Sequence, residues 1–344
     1  MWRRESREAE LRDKDLATIV APLREAAEIH RRVRLWARAW VRPGMRLLDI
    51  ADGIEEALRR TAGTHGGLAR GIAFPTGLSV NHIAAHWTPN ADDAAAVLRA
   101  GDVLKVDMGV HVRGRVVDSA FTLAWDPAYD ALLETVRAAT DAAVAAAGVD
   151  VRLADIGPVV EEVMAAGEVT VHGRTHAVRT VRNLMGHSLG LYRIHGGKCV
   201  PTAAGVHARG RMEEGDVLAF ETFGSTGRGH ATDEGTGLPT SHYMRAPHLP
   251  THALSSGSGN GSARARGLLA HIDSNYGTLA FARRWLDQTG VHDYARTLQH
   301  LVDIGAVDDY PPLCDVPGSV VAQFEHTVVI KPSSKEVVSR GPDY

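Results

Sequence analysis

The sequence has few of the features that define several protein classes. Its 344 residues include only two cysteines, Cys199 and Cys314, so a framework of disulfide bonds is excluded and a reducing compartment is expected. No apolar run approaches the roughly 18 residues that span a bilayer, and the first ten residues hold no apolar stretch of a secretory signal. We therefore expect a soluble, cytoplasmic protein with no membrane partner.

The charge balance also lacks the basic excess that is typical of nucleic-acid-binding proteins. Lys and Arg number 38 against 41 Asp and Glu, which leaves a net charge of −3, so we expect no nucleic-acid partner. The length fits one large domain or two smaller ones. Histidine, by contrast, is abundant with 18 copies, which directs attention to metal or proton chemistry.

Two stretches of the chain carry the same pattern, which indicates an internal duplication. RLLDI at 46–50 is matched by RLADI at 152–156, and each is followed at the same spacing by an apolar residue and two glutamates. GDVL recurs at 101–104 and 215–218, and each copy leads into a strand-like run with an acid six residues after the glycine. The pattern predicts an α+β domain built from two helix-helix-strand units, with functional groups near the pseudo-twofold seam.

The second unit is interrupted by a long insertion. In the first unit one turn separates the two strand-like, apolar runs that carry Asp107 and Asp118. In the second unit, the next apolar run with a carboxylate after Glu221 lies at 320–330. We interpret 246–314 as a helical insert, with a Ser/Gly-rich loop at 253–267 and helices at 267–275, 278–287 and 294–301. The predicted domains are an N-terminal segment 1–20, a catalytic domain 21–245 and 315–344, and the insert 246–314.

Four carboxylates lie within apolar, strand-like runs, and together they favour a metal site. Burying a single ionised carboxylate is costly unless it is paired or bound to a cation, so one alone is most often on a solvated face. Four carboxylates at related positions of a duplicated unit converge if the two halves face each other across the pseudo-twofold axis. Such a set suits two divalent ions. The four carboxylates are Asp107, Asp118, Glu221 and Glu325. One imidazole would complete the set, and His187, His195 and His86 are left open as candidates.

Seven segments, in order from about residue 20 onward, resemble type 2 methionine aminopeptidases. They are GIAFPTG at 71–77, AAHWTPN at 84–90, NLMGHS at 183–188, ETFGSTG at 221–227, YPPLC at 310–314, QFEHT at 323–327 and SRGPDY at 339–344. The resemblance implies the α+β pita-bread fold, a duplicated unit with pseudo-twofold symmetry, and a small helical, winged-helix-like insert late in the second half.

The resemblance also implies a role for individual residues. Two divalent ions, with Mn, Fe, Co and Zn all compatible, would be held by Asp107, Asp118, His187, Glu221 and Glu325. His86 and His195 match the histidines that contact the substrate near the scissile bond, and Glu221 would move the proton of the attacking water. The apolar pocket for the methionine side chain would comprise Phe74, Ile194, His242 and Ala280, with Tyr310 and Leu313 at or near its rim.

The resulting expectation is a methionyl aminopeptidase, a hydrolase that removes the N-terminal methionine from newly made proteins and peptides. Its nucleophile would be a water activated by two metal ions. A monomer is expected, and transient contact with the ribosome is left open. Two alternatives are a prolidase or aminopeptidase P-like hydrolase and a catalytically silent binding protein of the same fold. The FPTG and PPLC segments disfavour the first, and the intact ligand set and net charge disfavour the second.

Overall fold

The first half of the computed structural model pairs two helices with an antiparallel sheet. The structure describes residues 16–63, 67–93, 95–171, 173–247 and 260–344, so most of the predicted segment 1–20 lies outside it. The helices α1 (Leu16–Trp40) and α2 (Leu47–Ala62) pack on the sheet. Gly63 caps the C-terminus of α2 in a left-handed conformation, with a φ of 70°. The strands are β1 (Arg70–Val80), β2 (Ile83–Ala85), β3 (Val103–Val112) and β4 (Arg115–Ala124), with sheet order β1-β3-β4.

The second half repeats this plan. The helices α3 (Asp130–Ala146) and α4 (Ile156–Ala165) precede the strands, and α3 packs on β10 and β15. The strands are β5 (Glu168–Val171), β6 (Arg174–Ala177), β7 (Arg179–Thr180), β8 (Gly186–Ser188), β9 (Cys199–Val200) and β10 (Val217–Ser225). Later in the chain, β15 (Val321–Ile330) and β16 (Lys335–Val337) complete the sheet, whose order is β16-β15-β10-β8-β9 with β7 also on β10.

The antiparallel pairing of β10 with β15 is the counterpart of the β3–β4 hairpin, so the predicted insertion does interrupt the second hairpin. The insert contains α5 (Asn260–Asn275), α6 (Arg283–Gln288) and α7 (Ala295–Asp303). Its strands β12 (Ala280–Ala282) and β13 (Val307–Tyr310) pair with the two sides of β11 (His242–Arg245), which directly precedes the predicted bound at 246, while β14 (Leu313–Cys314) pairs with β2. None of the helices in the described ranges is long and apolar enough to cross a membrane.

Two local predictions for the insert are wrong. The Ser/Gly-rich stretch 253–267 is not a loop throughout, because α5 begins at Asn260; residues 253–259 lie outside the described residues. The stretch 278–287 is not one helix, because 280–282 form a buried strand at the edge of the three-stranded sheet before α6 begins. Pairing of β12 with β11 supplies hydrogen bonds that the local helical pattern does not reveal.

Side-chain hydroxyls join the two half-sheets at a seam between β4 and β15. The Ser119 hydroxyl donates to the Glu325 carbonyl at 2.7 Å, and the Thr327 hydroxyl donates to the Asp118 carbonyl at 2.6 Å. Thr122 bridges to the backbone of Gln323 in both directions, with its hydroxyl donating at 2.7 Å and accepting at 2.8 Å. The seam therefore places the backbone of Asp118 beside the backbone that carries Glu325.

A buried arginine on α1 fixes the segment that follows β16. The Arg34 side chain has no exposed surface and donates to both carboxylate oxygens of Asp343, at 2.9 and 3.0 Å, and to the Ser339 carbonyl at 2.9 Å. This places the Tyr344 ring on His326, with 4.1 Å between ring centroids, on the sheet face opposite Glu325. The strand that carries Glu325 is thus supported from behind.

Loss of this buried ion pair should destabilise the fold. In Arg34→Met the Asp343 carboxylate loses its buried partner, so the free energy of unfolding should fall by about 3 kcal/mol, measured by urea unfolding. Arg24→Met is the matched control, because Arg24 forms its ion pair with Glu336 at an exposed position and should change the midpoint little. Equal losses in the two variants would contradict this view of Arg34.

Candidate metal centre

The register of the two hairpins brings the four predicted carboxylates onto facing surfaces. In the first hairpin, Asp118 lies opposite Gly109, two residues after Asp107, so both aspartates lie on one face. In the second, Glu221 lies directly opposite Glu325. Like charges directly opposite each other on paired strands destabilise a sheet. The arrangement is therefore unfavourable unless positive charge or protons compensate it.

His187 is the imidazole that meets these carboxylates. It lies on β8 opposite Ala219, two residues before Glu221 on β10, and so on the same face as Glu221. Its Nε2 is 3.8 Å from Oδ2 of Asp118 and 4.0 Å from Oε1 of Glu221. One ligand atom each from Asp118, His187 and Glu325 lie within 4.8 Å of one another. All five predicted ligands thus surround one small volume.

Gln323 is a site residue that the sequence analysis missed. Its side-chain amide donates to Oδ2 of Asp107 and to Oε2 of Glu221, both at 3.3 Å, and so links an acid of each half. The available signal was its position two residues before Glu325 on the same strand, which places both side chains on one face. Gln323 holds the two carboxylates in place without adding charge.

Burial and mutual repulsion dominate the electrostatics of the centre. Burial raises the pKa of Asp107 to about 6. Burial first, and then the charges of neighbouring carboxylates, raise the pKa of Asp118, Glu221 and Glu325 well above the usual range. Burial lowers the pKa of His187 to about 3, which keeps the imidazole neutral and able to bind a cation.

The unpaired oxygens show that the centre fits a divalent cation. Oδ1 of Asp107 and both carboxylate oxygens of Glu325 are buried, and no hydrogen-bond donor reaches them from the described residues. The neighbouring side chain that could pair with Glu325 is Asp118, but two carboxyl groups form a hydrogen bond only if one of them holds a proton. Four carboxylates and one neutral imidazole form a ligand set that Mn, Fe, Co and Zn all accept.

Two further predicted histidines lie beside the centre and face the same cavity. The ring centroid of His195 is 4.7 Å from that of His187, and the His86 ring meets Tyr310 edge-on at 5.6 Å. His86 has a φ of 62°, a left-handed conformation that a non-glycine residue adopts only when its surroundings impose it. Burial lowers the pKa of His86 to about 4 and also lowers the pKa of His195, so both rings are neutral at pH 7.

A cavity of about 90 Å³ lies over the carboxylates. The Phe74 ring forms one wall of the cavity and packs directly on Gly109, where a Cβ would lie 2.2 Å from the ring. Leu313 does not line the cavity and instead pairs with Ala85 on β2. The lining includes every other predicted site residue, namely Phe74, His86, Asp107, Asp118, His187, Ile194, His195, Glu221, His242, Ala280, Tyr310 and Glu325.

Comparison with known proteins identifies relatives across almost the whole chain. The family model described as "Metallopeptidase family M24" matches residues 21–332. Over 322 residues the chain is 51% identical to methionine aminopeptidase 2 of Malassezia globosa, which covers 94% of this chain and 69% of that protein.

Solved structures with a similar fold have much lower sequence identity. A thermophilic Arx1 has a TM-score of 0.78 at 17% identity, covering 95% of this chain and 92% of that chain. The methionine aminopeptidase of Thermotoga maritima has a TM-score of 0.62 at 16% identity, covering 95% and 99%. At such identities the likeness shows the fold alone.

A divalent cation should stabilise the folded protein through this centre. Adding Mn²⁺ at a free concentration 100 times its Kd should stabilise the wild type by about 2.7 kcal/mol, measured as a rise in the unfolding midpoint. Glu325→Ala should lose most of that rise, whereas Glu28→Ala, which alters an exposed carboxylate on α1, should keep it. A Glu325→Ala protein that responds like the wild type would show that the cation binds elsewhere.

Proposed function

The chain belongs to metallopeptidase family M24 and, within it, to the methionine aminopeptidase 2 group, and from this we propose that it hydrolyses the first peptide bond of proteins and peptides that begin with methionine. The predicted resemblance and the α+β pita-bread fold are confirmed. One observation supports the proposal most strongly: two buried carboxylates, two half-buried carboxylates and a neutral imidazole converge in a cavity that is also lined by apolar and imidazole side chains.

We propose that two divalent ions, drawn from Mn, Fe, Co and Zn, are held by Asp107, Asp118, His187, Glu221 and Glu325. When bound, such ions supply Lewis acidity and lower the pKa of water. The chain's own contribution is to hold four acids at a spacing that they would not adopt unaided. Gln323 fixes the orientation of one acid from each half by its two hydrogen bonds.

Three polar side chains of the cavity act on the attacking water or on the substrate. Glu221 accepts a proton from the attacking water as a general base and passes it to the leaving amine as a general acid. The neutral imidazoles of His86 and His195 can each donate one hydrogen bond, to the scissile carbonyl or amide, as negative charge develops on the carbonyl oxygen. Both imidazoles are already in position before the substrate binds, because they are packed in buried surroundings.

The first side chain of the substrate enters the apolar part of the cavity. Phe74 and Ile194 supply its apolar walls, and Ala280 leaves room between them. His242 and Tyr310, on the paired strands β11 and β13, also line the cavity, and Leu313 pairs with the cavity-lining Ala85. A thioether is slender, polarizable and apolar, so such walls suit methionine better than β-branched or charged side chains.

The cellular setting follows from the proposed substrate. We propose that the enzyme's partners are the N-terminal peptides of newly made proteins and that it acts in the cytoplasm as a monomer. Transient contact with the ribosome stays a prediction. A prolyl-specific hydrolase is the less favoured enzyme, because the relative at 51% identity is a methionine aminopeptidase.

Release of free methionine from Met-Ala-Ser tests the proposed function. Protein stripped of metal should be inactive, and reloading with Mn, Co, Fe or Zn in turn should restore activity and rank the ions. The N-acetylated peptide should be resistant, because an aminopeptidase requires a free α-amino group. Folded protein that stays inactive with every ion would contradict the proposal and favour a binding role, whereas cleavage of X-Pro peptides alone would favour the prolidase alternative.

Removing one imidazole should separate chemistry from metal binding. His195→Asn should lower kcat by roughly 100-fold, the usual scale for loss of a preorganised hydrogen-bond donor, while the metal content measured by mass spectrometry stays at the wild-type level. His207→Asn is the control, because His207 lies outside the cavity lining. A fall in metal content that matches the fall in kcat would instead make His195 a ligand.

A further inference from the structure

A fully buried carboxylate outside the metal centre joins three parts of the structure. Glu55 on α2 has no exposed side-chain surface. Its Oε1 accepts from the Thr76 backbone N–H at 3.3 Å and forms an ion pair with the Arg284 guanidinium, while its Oε2 accepts from the indole N–H of Trp285 at 2.7 Å. Arg59 lies 3.7 Å away. A buried charge is tolerated only when it is satisfied in this way.

The guanidinium of Arg284 extends the same network to a fourth part of the chain. Its side chain is 2% exposed, and Nη1 donates to the Thr88 hydroxyl at 3.0 Å and to the Pro89 carbonyl at 3.2 Å. Nε also reaches Asp52 at 3.4 Å. The insert is therefore attached to the loop that follows His86 and to α2 by one planar cation, all three nitrogens of which donate hydrogen bonds.

Each partner in this network lies within a few residues, along the chain, of a residue that lines the cavity. Thr76 comes directly after Phe74 and Pro75 on β1, and both of these line the cavity. Arg284 follows β12, which contributes Ala280 and pairs with the strand that carries His242. Thr88 comes two residues after His86, and its N–H donates to the Ser241 hydroxyl at 3.2 Å.

We propose that the Glu55–Arg284 pair is a positioning device that sets the width of the pocket for the substrate's first side chain. The inference rests on the proposed function, which supplies the pocket's role. Neither residue lines the cavity. They act through Thr76, Thr88 and β12, which approach the cavity from elements far apart in the sequence. With the pair intact, the walls keep one spacing. With one charge removed, the other loses its buried partner and keeps only a longer ionic contact, to Asp52 at 3.4 Å or to Arg59 at 3.7 Å, so it draws in water and the walls separate.

A wider pocket affects recognition more than chemistry. Methionine then contacts its walls less closely, so KM for a Met-peptide rises, while the metal ligands and His195 keep their positions and kcat is retained. The penalty that the narrow pocket imposes on other aliphatic side chains also falls. Discrimination between methionine and leucine at the first position is therefore the signature of positioning, since a loss of fold stability alone would reduce both activities together.

The test compares Glu55→Gln with the wild type on Met-Ala-Ser and Leu-Ala-Ser. We expect KM for the Met-peptide to rise roughly tenfold, the preference for methionine in kcat/KM to fall by a similar factor, and kcat and metal content to change little. Thr88→Val removes only one acceptor of Arg284 and keeps both charges, so it should shift KM in the same direction by about threefold and serves if Glu55→Gln fails to fold.

The controls are Asp92→Asn and Arg283→Gln, which break an exposed ion pair of 2.7 Å at the residue next to Arg284 and should leave KM and preference unchanged. Folded Glu55→Gln and Thr88→Val with wild-type KM and preference would overturn the inference, and so would equal losses on both peptides. Wild-type protein that releases no methionine would overturn the proposed function itself, a result that the variants alone cannot produce.

Discussion

Repulsion among four carboxylates, two buried and two half-buried, is the constraint around which the two half-sheets are organised. Glu221 and Glu325 face each other across one hairpin, and Asp107 and Asp118 share a face of the other. Such an arrangement persists only because rigid sheets hold the backbones and a cation can compensate the charge. The hydroxyl seam between β4 and β15 and the two hydrogen bonds of Gln323 serve that purpose.

The duplicated architecture explains why the acids meet. Each half contributes a helix-backed antiparallel pair with carboxylates at related positions, and the seam brings the pairs together. The insert interrupts one pair in sequence but not in space, because β10 and β15 still align residue for residue from the Val217–Val329 pair to the Ser225–Val321 pair. Sequence distance between Glu221 and Glu325 is thus irrelevant to the geometry of the site.

The strand-borne acids could be predicted from the sequence because repeats and strand patterns are local signals. The contributions of other residues could not. Gln323 carries no charge, and its role depends on which strands flank the seam. Ala280–Ala282 read locally as helix, yet pairing with β11 makes them a strand. In the sequence, Glu55 stood out only as part of the repeated pattern of an apolar residue and two glutamates, and its burial against Arg284 depends on where the insert packs. In each case tertiary contacts decide the outcome.

Anomalous diffraction from crystals grown with Mn²⁺ tests the central claim most directly. Data collected on both sides of the manganese absorption edge should show two peaks between the side chains of Asp107, Asp118, Glu221 and Glu325, with His187 touching one of them. Crystals of protein that cleaves Met-Ala-Ser, with these five side chains ordered but with manganese peaks only elsewhere, would contradict the account.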